Sequence, residues 1–127
     1  MISYLEKNKR FSILFTVLIA AEIFFVSSVP GSRVITEGLD LSAAYHSIVF
    51  FLLGFFTILS MTNRKDKKMT RLLLPVGITI LYAIVDEIHQ IFVPLRSSSI
   101  TDVLIDISGI LLAVIVYLYY KRDSKKK

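Results

Sequence analysis

The stretch AIVDEIHQIFVPLRSSSITDVLIDISG, residues 83–109, joins two long apolar runs and yet carries Asp86, Glu87, His89, Asp102 and Asp106, with Arg96 at the turn between them. Runs of this length and hydropathy read as membrane spans. Ionisable groups inside such spans are rare and are functional-site candidates by default. The reading of this stretch therefore decides both the fold and where function should be sought.

Working outward, four apolar segments stand out, at 11–29, 43–62, 72–93 and 100–120. Each is close to the roughly 20 residues that cross the hydrocarbon core. Backbone polar groups in lipid must be paired within the segment, so all four are predicted helices. Pro30 and Pro94 lie where the first and third helices leave the membrane, in the turn-like sequences PGSR and PLRSSS. The first span is too long for a signal-peptide core, and VSSVPGS is a poor cleavage site, so the span is expected to be retained.

Composition agrees. Of the 127 residues, 54% are hydrophobic, and mean hydropathy is +0.67. A soluble domain of this size has nowhere to bury that much apolar surface, whereas a bilayer covers it. With no cysteine, disulfide and thiolate chemistry are excluded. No repeat or long linker divides the chain, so residues 1–127 are expected to form one four-helix domain.

The net charge of +5 is concentrated in particular loops. Lys7, Lys9 and Arg10 precede the first span, and Arg64, Lys65, Lys67, Lys68 and Arg71 lie between the second and third. Lys121, Arg122 and Lys125 to Lys127 follow the fourth, which accounts for thirteen of the fifteen basic residues. Arg33 and Arg96 occupy the opposite loops. The positive-inside rule then places both termini in the cytoplasm and residues 30–42 and 94–99 outside. The basic loops are topology signals and contacts to anionic lipid, so no nucleic-acid partner is expected.

On this topology the polar residues sort by depth. Glu22 falls in the outer half of the first helix, and His46 one turn inside the outer end of the second. Asp86, Glu87, His89 and Gln90 fall in the outer half of the third, and Asp102 and Asp106 in the first two turns of the fourth. The inner halves carry almost none. At about 100° per residue, with Asp86 at zero, Gln90 lies near 40°, Glu87 near 100°, and Tyr82 and His89 at roughly −40° to −60°. This broad polar face lies opposite Ile84, Ile88 and Ile91. The short 94–99 connection makes the third and fourth helices antiparallel neighbours, so their polar faces can meet. The expected architecture is an all-α integral membrane protein, N-in and C-in, with a polar pocket opening in the outer half.

An acidic residue at a span centre costs roughly 2.5–3.5 kcal/mol, and each Leu, Ile, Phe or Val returns about 0.3–0.6 kcal/mol. The third span has thirteen such apolar residues, enough only to offset its two acids. That helix needs partners or water. Polar residues can simply hold helices together, which is the plainer explanation for an isolated Glu22, Asp106 or His46. Adjacent acids facing different sectors repel, and make poor glue.

These residues resemble the VanZ-like family of small bacterial membrane proteins. The resemblance is carried by His46, by FFLLG ending at Gly54, and by DEIHQIFVPLRSSSITDVLIDISG. In the family pattern an Asp-Glu pair precedes Gln by three residues, then come an aromatic, an Arg after the turn, two acidic or amide positions and a Gly. Here they fall on Asp86, Glu87, Gln90, Phe92, Arg96, Asp102, Asp106 and Gly109. The match covers residues 43–112, and the first helix by hydropathy alone. His89 is not a core family position. A Lys common in the family is Ala43 here, so its role is either absent or met by another group, with Arg33 as the candidate substitute. The resemblance implies a role at the cell envelope, since founding members accompany glycopeptide-resistance clusters and confer resistance to teicoplanin-type lipoglycopeptides. It implies a bacterial cytoplasmic membrane location and supplies no established reaction.

Two functions fit the residues. In the first, an enzyme acts on a membrane lipid or a lipid-linked cell-wall precursor, with Glu87, Asp86 and His46 as catalytic acid or base. Arg96, Gln90, Asp102 and Asp106 bind the headgroup, and Arg96 suits a phosphate or carboxylate. Gly54 and Gly109 are structural, Gly109 permitting a close helix approach. In the second, the same groups bind such a headgroup without changing a covalent bond. Transport fits less well, because the polar cluster stops halfway. No metal ligands are assigned, since no spaced motif such as HExxH is present. A divalent cation on Asp86, Glu87, Asp102 and Asp106 would be bound by hard oxygens, but is not favoured.

Overall fold

A computed structural model describes residues 2–30, 41–63, 69–96 and 98–123. They form a short helix α1 (Ile2–Lys7), then α2 (Lys9–Ser27) and α3 (Leu41–Met61). A 3-10 turn, Met69–Leu72, leads into α4 (Leu73–Ile91), and α5 (Ile100–Asp123) completes the order. No strand occurs among the described residues. The segments Lys9–Ser27, Ser42–Met61, Met69–Ile91 and Ile100–Arg122 are long and apolar enough to cross a membrane. This is the four-span helical architecture expected from hydropathy. Arg33, Arg64, Lys65, Lys67, Lys68 and Lys125 to Lys127 lie outside the described residues.

Local chemistry explains the helix ends. The last turn of α2 continues past Ser27 through Ser28 N–H to the Phe24 carbonyl and Val29 N–H to the Val26 carbonyl, until Pro30 stops it. Pro75 sits in the first turn of α4, where a missing N–H leaves no helical bond unmade. At the other end of α4, Phe92 and Val93 donate to the carbonyls of His89 and Gln90, tightening the turn before Pro94. Leu95 then adopts φ 62°, a left-handed conformation unusual for a residue with a side chain. Lys121 and Arg122 in the last turn of α5 complement its dipole.

α3 is central to the bundle. It packs most extensively on α5, then on α2, while α4 touches both α3 and α5. One core joins Ile23, Val49, Phe50, Leu53, Ala83 and Ile110. A second, nearer the chain termini, joins Ile58, Leu59, Leu72 and Tyr117. There Thr62 donates to the buried Tyr117 hydroxyl at 2.9 Å. Both cores are small because the apolar excess faces outward, as lipid contact demands: Phe25 is 69% exposed and Ile115 62%.

Gly109 sets the distance between α3 and α5. A Cβ there would land on the Ser47 carbonyl oxygen and come within 3.0 Å of Phe51 N, so only glycine permits this approach. Gly54 differs: a Cβ would meet Ala113 and Ile110 at an ordinary 3.5 Å.

Candidate functional site

The polar residues gather at the end of the bundle opposite the termini, here called the distal end. α4 supplies the largest share. Ala83, Asp86, Glu87 and Gln90 are buried on one face, while Ile84, Ile88 and Ile91 on the other are exposed. Successive residues diverge by about 100° around a helix, so Asp86 and Glu87 reach different neighbours.

Asp86 turns toward α2. Its Oδ2 accepts hydrogen bonds from Ser27 Oγ and from Gln90 Nε2, both at 2.9 Å. All three side chains are buried. Next to them Ser28 Oγ lies 2.9 Å from His89 Nε2, and the His89 ring stacks on Phe24 at 5.0 Å. Tyr82 donates to the Ala20 carbonyl at 2.6 Å. This side fastens α4 to α2.

Glu87 turns toward α3 and α5. Its Oε2 accepts the Ser99 backbone N–H at 3.2 Å, and Oε1 has no hydrogen-bond partner among the described residues. His46 Nδ1 lies 3.0 Å from Asp106 Oδ1, an ion pair when the imidazole is protonated. Asp106 is 0% exposed, and its Oδ2 is likewise unpartnered among the described residues. One donor atom each from His46, Glu87 and Asp106 fall within 4.8 Å of one another.

The short α4–α5 connection orders this arrangement. Ser99 caps α5, its Oγ accepting the Asp102 N–H at 3.2 Å and donating to Asp102 Oδ2 at 2.9 Å. In a capping box the N-cap residue's own N–H would go to the side chain three residues on. Here Ser99 gives it to Glu87. Arg96 folds back onto α2, donating from Nε to the Val29 carbonyl at 3.2 Å and from an Nη to the Val26 carbonyl at 2.7 Å.

A family model described as VanZ/LLP1 matches residues 9–121. The chain belongs to the VanZ/LLP1 family. The match runs from the start of α2 nearly to the end of α5, so it includes the first span as well as the stretch at 83–109. Comparison with curated proteins and with solved structures gives no match. A multi-pass membrane protein follows from the family and from the four spans together.

Of the site residues expected from sequence, three converge: His46, Glu87 and Asp106. Asp86 and Gln90 form the neighbouring group with Ser27. Asp102 is held by Ser99, and Arg96 by α2 carbonyls. Gly109 makes the close approach expected of it. Glu22 accepts from Tyr45 at 2.6 Å on an exposed face, apart from the three. Arg33, the candidate substitute for the family Lys, falls outside the described residues. Sequence reasoning missed Ser27, Ser28, Tyr45 and Ser99. Ser99 had a visible signal, the S-x-x-D spacing to Asp102 before an apolar run. Ser27 and Ser28 had none beyond lying at a span end.

Proposed function

We propose that this VanZ/LLP1 protein sits in the bacterial cytoplasmic membrane with both termini inside, and acts on a lipid-linked or cell-wall headgroup in the outer leaflet by acid–base chemistry. The distribution of Lys and Arg supports the orientation, and in that orientation the distal end faces the outer headgroups. One observation carries the chemistry: Glu87 holds a buried carboxylate oxygen with no partner among the described residues, beside a His46–Asp106 pair. Glu87 is the acid or base. Asp106 fixes the His46 ring, so that the imidazole can exchange a proton with the reacting group. Asp86, engaged by Ser27 and Gln90, positions α4. Arg96 uses two of its five donors on α2 carbonyls, which leaves N–H groups for an anionic headgroup.

The second reading is a binding module that holds such a headgroup without covalent change. It draws support from the internally satisfied Asp86 and Asp102. Comparative mass spectrometry of envelope lipids and lipid-linked precursors separates the two. Cells carry empty vector, wild type or Glu87→Gln at matched membrane abundance. A species that changes with wild type and not with Glu87→Gln identifies both chemistry and substrate class. An identical profile in all three, in cells where wild type alters lipoglycopeptide susceptibility, leaves the binding module.

A further inference from the structure

We propose that His46, Glu87 and Asp106 form a binding site for one divalent transition cation, zinc or manganese. The set is a single imidazole and two carboxylates, drawn from three different helices. All three residues are buried, and their donor atoms lie within 4.8 Å of one another. Cation–ligand bonds of about 2.0–2.2 Å place donors roughly 3.0–3.5 Å apart. His46 Nδ1 and Asp106 Oδ1 already stand at 3.0 Å, and a small adjustment of the flexible Glu87 side chain brings in the third ligand.

Two further features of the same residues favour a cation. Glu87 Oε1 and Asp106 Oδ2 are buried acceptors with no partner among the described residues, and a buried unpaired acceptor is costly. The charge is also unbalanced. Arg96 is directed to the α2 carbonyls, so the cluster has two carboxylates and one histidine. A dication with two carboxylates and a neutral imidazole sums to zero, the arrangement a low-dielectric interior favours.

The ligand set differs from the all-oxygen group that spacing alone offered. Asp86 is taken by Ser27 and Gln90, and Asp102 by Ser99. His46 replaces them, which moves the preference from magnesium or calcium toward zinc, while the two carboxylates keep manganese compatible. Three protein ligands leave a coordination position for water, as in catalytic zinc sites. The sequence carries no metal motif because its ligands come one from each of three helices. Gly109 allows two of those helices, α3 and α5, to meet closely enough.

A bound cation would replace the His46–Asp106 hydrogen bond and occupy Glu87, so the acid–base roles proposed above belong to the metal-free protein. The site shares those residues, rests on geometry, and is tested on binding. Full-length protein without a polyhistidine tag is purified in detergent, stripped with chelator, and titrated with Zn²⁺, Mn²⁺ and Co²⁺. The expected result is saturable binding of one ion per chain at micromolar concentration or tighter. Glu87→Gln and Asp106→Asn should each weaken it by at least about 100-fold, and Asp86→Asn should retain it. Because variants can misfold, the second measurement uses folded protein that keeps its ligands. The chain has two histidines, so His89→Gln loaded with Mn²⁺ should still show ¹⁴N coupling in pulsed electron paramagnetic resonance. Absence of saturable binding, absence of that coupling, or equal binding by Glu87→Gln overturns the proposal. Metal binding with an unchanged lipid profile would overturn the enzyme and leave the metal site standing; the converse would do the opposite.

Discussion

The two sides of α4 at the distal end are built from the same kinds of residue and come out differently. On the α2 side, Asp86 has two donors on one oxygen, and His89 has a serine and an aromatic ring. On the α3–α5 side, Glu87 and Asp106 each keep a buried oxygen without a partner among the described residues, beside His46. Adjacent acids have thus been divided between a hydrogen-bonded joint and the cluster proposed above as the site. A satisfied buried polar group specifies packing, whereas an unsatisfied one is costly and calls for a partner such as water, an ion or a substrate.

The sharpest way to break this contrast is through the helix approach that one side needs and the other does not. Gly109→Val would drive a side chain into the backbone of α3 at Ser47 and Phe51. The expected loss is about 3 kcal/mol or more of stability, read as a lower thermal unfolding midpoint in detergent. Gly54→Ala, with ordinary contacts at 3.5 Å, should change the midpoint little. Equal damage from the two would remove Gly109 from its role in positioning the site.

Next in size is the functional split. Glu87→Gln should lower any lipid turnover by about 10²-fold or more and leave the unfolding midpoint unchanged or raised, because a buried charge is removed. Asp86→Asn should do the reverse, keeping most turnover and costing stability. Turnover lost in Asp86→Asn and kept in Glu87→Gln would exchange the two roles.

Smaller effects sharpen the joint. Ser27→Ala removes one hydrogen bond to Asp86, and side-chain bonds of this kind within membranes average about 0.6 kcal/mol. A double-mutant cycle with Asp86→Asn should return a coupling of that size, and a coupling near zero would make the contact incidental. The smallest expected effect is Leu95→Gly. It relieves a left-handed conformation costing about 1 kcal/mol, and glycine's greater unfolded-state freedom offsets most of the gain. A midpoint within experimental scatter is expected. A large fall would mean that the exposed leucine side chain itself makes a contact that matters.

Much of this was legible before any coordinates. Hydropathy located the four spans, and α1 lies outside all of them. Helical phase put Asp86, Glu87 and Gln90 inward and Ile84, Ile88 and Ile91 outward, as the fold has them. The grouping within the polar set was not legible. Phase says that Asp86 and Glu87 diverge, but not which neighbour each one meets. Ser27 reads as an ordinary residue at a span end, because nothing in its own segment refers to a carboxylate fifty-nine residues away.

By itself, then, the sequence determined the membrane class, the number of spans and the polar face of α4. Each of these follows from composition and periodicity along one segment, where the physics is local. The tertiary structure decided which polar groups became partners and which stayed unpaired. That depends on distances between helices, set here by the missing Cβ of Gly109, by the turn at Leu95, and by the Ser99 N–H turned toward Glu87. A hydrogen bond between segments is either made or missed within a fraction of an ångström, and no pattern along the chain records that distance.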